Sequence, residues 1–258
     1  MLNPNTCPKG TRVGFKYLSL MINVPQYLQY LLQKAKDVGA VVIQDVLPTS
    51  LGFEAALTKA IEIVNEKSKV VQRRDITAFV NATGLGASTL VPDATMFPIR
   101  GQTITVSGEA DQITTINFEP DLQKPSESVI TYILPRPHSN TTVIGGTKQV
   151  GDWNPEPDQE TIRELLARAK PFATELLNDK GEFTVLSCQV GFRPGRQNGP
   201  RVELEKYGDF TVCHAYGHGG AGMDVSVSRV FLSLVMIGYQ NSVGCANQVV
   251  QLLNSVST

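Results

Sequence analysis

The stretch "HAYGHGGAGMDV", residues 214–225, sets Gly217, Gly219 and Gly222 in G-x-G-x-x-G spacing directly after the strand-like run "DFTVCHAY". In a dinucleotide-binding unit such glycines let the backbone approach a pyrophosphate at a helix N-terminus. That reading requires a strand before, a helix after and an acidic residue about 20 positions further on. The first condition is met. The second fails, because "MDVSVSRVFLSLVMIG" is β-branched and shows no clear helical stripe until Gln240, and the third fails because no Asp or Glu follows Asp224. Taken alone, the stretch reads as a glycine-rich turn rather than a self-standing pyrophosphate loop.

Around this turn lies an ordinary globular composition. The 258 residues are 41% hydrophobic and 18% charged, with a net charge of -1, enough chain for one large domain or two smaller ones. The dispersed Lys and Arg form no basic stripe for nucleic acid. Cys7, Cys188, Cys213 and Cys245 include no C-x-x-C pair, which points to free thiols and no structural metal site. The apolar run at 17–24 is too short and too interrupted for a signal peptide, and that at 230–238 is far short of a membrane span.

Along the first third, strands and helices alternate. "YLSLMIN" reads as a strand, and Asn23 caps a helix with Pro25 in its first turn and Leu28, Leu31, Leu32 and Ala35 on its apolar stripe. "AVVIQDV" reads as a buried strand, "FEAALTKAIEIVN" as a helix and "DITAFVNATGLGA" as a strand entering a glycine turn. This alternation predicts a parallel layer. From Phe97 onward, "GQTITVSG", "QITTINFE", "SVITYILPRP" and "TTVIGGTKQVG" are strands separated by polar breaks, which predicts a mainly antiparallel sheet. Helices at "DQETIRELLARAK" and "PFATELLN", strands at "EFTVLSCQVGFRP" and "RVELEKYGDFTVCHAY" and a helix at "NQVVQLLNSV" complete the chain.

Seven fragments stand in an order and spacing that resemble the D-amino-acid oxidases, the fungal members most closely. They are "VNATGLGA" (80–87), "PIRGQTITV" (98–106), "YILPRP" (132–137), "GGTKQVGDWN" (145–154), "VGFRPGR" (190–196), "GPRVELE" (199–205) and "HAYGHGGAG" (214–222). The resemblance implies an α/β fold, with an incomplete Rossmann-like FAD-binding domain over residues 15–96 and 204–258 interleaved with an antiparallel substrate domain over 97–203. It also identifies the turn at 217–222 as the family's second glycine turn, which lies against the flavin ring.

Two departures from the family accompany the match. The family's opening strand, G-x-G-x-x-G turn and helix have no counterpart before residue 17, so the chain reads as N-terminally truncated and is expected to hold FAD weakly. Removing Met223 to Gly238 joins "GHGGAG" to "YQNSVGCANQVVQLL", as in the family. These sixteen residues are expected to be intron sequence read as protein, the alternative being a surface insertion.

By the same resemblance, Arg193 in "GFRPGR" holds the substrate α-carboxylate, a role suited to the planar guanidinium fork, and Tyr132 in "YILPRP" adds a hydroxyl bond. Lys148 occupies a pocket-wall position where D-aspartate oxidases place an arginine, so it either favours acidic substrates or points to solvent. Cofactor contacts fall on Val46, Thr83, Gly84, Gly219, Gly220, Gly222 and Gln240. Arg196, His214 and His218 read as structural. The implied reaction is FAD-dependent oxidative deamination of a D-amino acid with O2. Acidic D-amino acids, or a non-catalytic fragment unable to retain FAD, are the alternatives. The family is typically peroxisomal, although the chain ends "SVST" without an S-K-L signal, and a cytoplasmic location and a homodimer stay open.

Overall fold

The computed structural model of the chain describes residues 11–68, 76–117, 130–219 and 240–255. These fall into two compact units, one comprising residues 11–24 and 100–192, the other residues 25–99, 193–219 and 240–255. Gly220, Gly222 and the interrupting segment 223–238 lie outside the described residues.

A six-stranded sheet lies mostly in the first unit, its residues Met96–Ile99 and Arg193–Arg196 belonging to the second. β2 (Met96–Ser107), β3 (Thr114–Asn117), β4 (Ile130–Arg136), β5 (Thr141–Gly145) and β6 (Gln149–Val150) lie in the order β3-β4-β5-β2-β6, with β7 (Val185–Arg196) also pairing with β2. The pairings β2 with β5, β3 with β4 and β4 with β5 are antiparallel, as consecutive strand-like runs separated by polar breaks predict. Burial alternates residue by residue along β4, so one face turns Ile133 inward beside Ile104, Val106 and Ile144. A helix, α4 (Gln159–Ala169), buries Leu165 and Ala169 in the same cluster. Asp158 caps it by accepting from the Thr161 backbone N–H at 2.7 Å. The expected helix "PFATELLN" is instead two 3-10 turns, at Lys170–Phe172 and Thr174–Leu176, separated by Ala173 at φ -145 and ψ 52. Pro171 cannot donate to a continuing ladder, and Ala173 leaves the helical region to bury itself in the core.

The second unit has a three-stranded sheet of order β1-β9-β8, formed by β1 (Phe79–Asn81), β8 (Arg201–Tyr207) and β9 (Phe210–Tyr216). β8 and β9 pair antiparallel through the two-residue turn Gly208–Asp209, and β1 pairs parallel to β9. Gly208 sits at φ +55, where a first turn residue without a Cβ is favoured. Against this sheet α2 (Phe53–Lys67) packs Phe53, Ala56 and Leu57 with Leu90 and Val212. Between β1 and β2 the chain makes a 3-10 turn over Gly84–Gly86 and the short helix α3 (Ala87–Leu90). The last helix, α5 (Gln240–Asn254), starts seven residues before the expected "NQVVQLLNSV".

The mixed α/β expectation holds, but two early strands do not form. Residues 17–23 and 40–46 are extended or irregular, largely exposed, and outside both ladders. A strand exists only against a partner strand, and neither segment has one among the described residues. The helix between them, α1 (Val24–Asp37), forms as its 3.6-residue periodicity predicts. Yet it buries none of its residues, and Leu28, Leu31 and Leu32 stay 41–48% exposed.

Candidate cofactor and substrate residues

In the second unit, three motifs distant in sequence meet at Pro194. Gly219 donates its N–H to the Pro194 carbonyl at 2.7 Å. Gly84 faces the Pro194 ring, which a Cβ on Gly84 would meet at 3.8 Å. Both glycines have positive φ, +58 and +59, a region where a side chain strains the backbone. Arg193, half-buried, is the residue immediately before Pro194. On its other side the strand end is fitted closely: a Cβ on Gly195 would lie 2.4 Å from the Phe97 ring, and one on Gly217 would lie 2.7 Å from Arg196 Cβ.

The Thr83–Gly84 turn is shaped from β1. Asn81 Oδ1 accepts from the Thr83 N–H at 3.3 Å and from the Thr83 hydroxyl at 2.8 Å, the local bonding by which Asn seeds a turn. Gly86 N–H then closes on the Thr83 carbonyl at 3.0 Å. Val46 stands apart: it is 84% exposed, and its N–H bonds to the Asp45 carboxylate next to it. Gln240 opens α5.

Tyr132 and Lys148 belong to the first unit. The β4–β5 register sets Tyr132 opposite Gly145, and its ring lies directly on the glycine pair. A methyl group at Gly145 would come within 2.5 Å of the ring, and one at Gly146 within 2.5 Å of the phenolic oxygen. Lys148 is half-buried and follows Thr147, whose hydroxyl accepts from the Gln102 N–H at 2.9 Å. Below it, the fully buried Arg100 donates to the carbonyls of Asn154 and Glu156 at 2.7 and 2.6 Å and to Gln149 Oε1 at 2.6 Å. These bonds fix the course of the "QVGDWNPE" loop.

Sequence reasoning missed the polar interior of the second unit. His214 is fully buried between Asn81, whose Nδ2 is 3.1 Å from His214 Nδ1, and Glu205, whose Oε2 is 3.1 Å from His214 Nε2. Glu205 also accepts from Tyr207 at 2.7 Å and from Arg201. Arg196, expected to be structural, pairs with Asp93 at 2.9 Å, and Tyr216 donates to the same carboxylate oxygen at 3.0 Å. Burial works to raise the Asp93 carboxyl, but bonds from Thr95 and Arg196 override it and hold the group well below the usual carboxylate range. Burial, reinforced by Arg201, lowers His214 against the pull of Glu205. Burial pushes the Tyr207 phenol up to about 12. An Asn two residues before a Thr is a visible turn signal; its pairing with a histidine 133 positions away is not.

Among the described residues, no cluster of His, Cys, Asp or Glu could hold a metal ion, and no helix is long and apolar enough to cross a membrane. The family model described as "FAD dependent oxidoreductase" matches residues 2–227. A D-amino-acid oxidase from Fusarium vanettenii is 30% identical, covering 98% of this chain and 63% of that protein. One from Rubrobacter xylanophilus is 33% identical over 85% of this chain and 58% of that protein. A D-aspartate oxidase from Talaromyces thermophilus is 27% identical over 95% of this chain and 60% of its own length. The chain thus spans about three-fifths of the length of these curated relatives.

Proposed function

Because the chain belongs to the DAO family of FAD-dependent oxidoreductases, we propose that it serves the oxidative deamination of D-amino acids: D-amino acid, O2 and water give 2-oxo acid, ammonia and hydrogen peroxide. The observation that carries this reading is the meeting of Gly84, Pro194 and Gly219 beside Arg193. Gly84 and Gly219 carry no Cβ there, which leaves their backbone open to a flat ring system, and the carboxylate-binding cation is the next residue along the strand. Thr83, Gly84 and Gly219 fit the flavin contacts assigned to them, Gly220, Gly222 and Gln240 are assigned to the same cofactor by resemblance, and Val46 is 84% exposed.

FAD held at Thr83, Gly84 and Gly219 would supply an acceptor for the substrate α-hydrogen with its electron pair and a route for two electrons to O2. The protein's part is orientation. Arg193 holds the α-carboxylate through two parallel N–H···O bonds, which fixes the α-carbon. With the substrate amine uncharged, no dedicated general base is needed, and water completes hydrolysis of the imino acid. In the first unit, Tyr132 supplies a hydroxyl for substrate recognition, and its ring is held by Gly145 and Gly146. Lys148 supplies an ammonium suited to a side-chain carboxylate, which makes D-aspartate and D-glutamate the second substrate class. A substrate domain over 97–203 and a peroxisomal location belong to the same proposal; co-localisation with a peroxisomal marker tests the latter.

A peroxide assay on the chain supplied with excess FAD tests the activity. D-alanine is expected to give hydrogen peroxide and L-alanine none. Equal rates on the two enantiomers, or none on a panel of neutral and acidic D-amino acids, would overturn the reading.

A further inference from the structure

The parallel register of β1 and β9 puts Asn81 opposite His214, and the hydrogen bonds around that pair have a single consistent direction. Asn81 Oδ1 is committed to two donors, the N–H and the hydroxyl of Thr83. Its Nδ2 must therefore face His214, and the His214 Nδ1 it meets at 3.1 Å must be the lone-pair nitrogen. The imidazole proton then sits on Nε2, pointing at Glu205 Oε2 3.1 Å away. Glu205 is held ionised by its other donors, Tyr207 and Arg201. Around the ring stand Glu205, Arg201 and Tyr207 of β8, Tyr216 of β9, Phe53 of α2 and Asn81 of β1. The relay ends on the backbone of the turn that carries Thr83 and Gly84.

We propose that Asn81 is a positioning residue for the cofactor turn, with the sense of its amide locked by a neutral, Nε2-protonated His214 anchored on Glu205. Asn81 and His214 touch neither substrate nor flavin in this scheme; they act through Thr83. An amide turned the other way presents an N–H to the Thr83 N–H, and a doubly protonated imidazole presents an N–H to Asn81 Nδ2. Either state leaves two donors facing each other in a buried space and releases the turn. The inference rests on the reading of Thr83 and Gly84 as flavin contacts.

Amide hydrogen exchange over residues 79–90 separates the two. Without FAD, Asn81→Ala should speed exchange at Thr83 by on the order of tenfold or more, whereas Asn81→Asp, which keeps an acceptor for Thr83 and draws a second proton onto His214 Nδ1 to meet the new carboxylate, should retain most of the protection. Long-range nitrogen–proton NMR of the parent chain should report His214 as the Nε2–H tautomer, a readout that does not depend on any variant folding. Unchanged exchange in Asn81→Ala, loss of protection in Asn81→Asp equal to that in Asn81→Ala, or an Nδ1–H tautomer overturns the inference. With FAD added, the same segment of the parent chain should gain protection, and Asn81→Ala should weaken FAD binding by about tenfold. A parent chain that binds FAD without protecting 79–90, or binds none, overturns the cofactor reading and leaves the exchange and tautomer results to decide the positioning role.

Discussion

Between β4 and β5 the six-stranded sheet buries Ile133 and Ile144 against Leu165 and Ala169 of α4, whereas the three-stranded sheet buries His214 between an amide and a carboxylate. Ile133, Ile144 and His214 are all closed to water, while Glu205 at the outer end of the polar chain stays 39% exposed. Around Ile133 and Ile144 the first interior is held by methyl groups that pack in any protonation state; around His214 the second is held by donors and acceptors that must each find one partner. Apolar packing tolerates small shifts and is indifferent to pH; a buried polar chain fixes direction and fails as a unit. The unit with the directional interior is also the one in which Gly84, Pro194 and Gly219 meet, where a cofactor turn needs a fixed shape more than extra stability.

Ile144→Ala should show the apolar side of this contrast most strongly, with a loss of about 2–5 kcal/mol in denaturant unfolding and no change in exchange at Thr83. A loss of Thr83 protection matching the loss of stability would dissolve the distinction between the two interiors. Next in size, Arg193→Ala should reduce kcat/KM for D-alanine by roughly ten- to a hundredfold while leaving the unfolding midpoint in place, since a desolvated carboxylate loses an interaction of roughly 1.5–3 kcal/mol. Parent-like kinetics would remove Arg193 from the carboxylate role.

Acid should separate the two sheets. His214 is lowered from its ordinary 6.5 by burial, so the unfolded chain takes up its proton first, and the stabilisation present above pH 6.5 is lost as pH falls below it. Glu205 and Asp93 are lowered from 4.5 and 3.8 by their donors against the effect of burial. Their stabilisation is complete above those values and is lost as pH falls through the lower folded values. Amides of β9 should therefore lose protection on acidification before those of β5, after correction for intrinsic exchange. Simultaneous loss would show that the polar chain does not govern its sheet. The smallest effect expected is Lys148→Met, which should lower kcat/KM for D-aspartate severalfold and leave D-alanine nearly unchanged; equal effects on both would place Lys148 outside specificity.

Much of the antiparallel sheet was legible because β-branched runs such as "ITYILPR" and "TTVIG" are set apart by polar breaks, a local pattern. The α2 and α4 helices were legible for the same reason, with Asp158 marking where α4 begins. Periodicity names a face but not what covers it, which is why α1 forms as expected yet buries nothing, and why the runs at 17–23 and 40–46 look like strands without being so. Single residues in motifs pointed to Arg193, Tyr132 and the glycines. The contact of Gly219 with Pro194, and the relay from Glu205 to Thr83, depend on register between segments far apart in sequence, and no local pattern encodes that.

The Tyr132 ring rests on Gly145 and Gly146 with no room for even a methyl group between them. In evolutionary terms these three positions form one character rather than three. A mutation at either glycine is closed off while the tyrosine stays, and opens only after residue 132 has shrunk. A library randomised at 132, 145 and 146 together should therefore return side chains at 145 or 146 only in combination with a small residue at 132, so that any drift of this wall away from tyrosine has to begin at the ring and not beneath it.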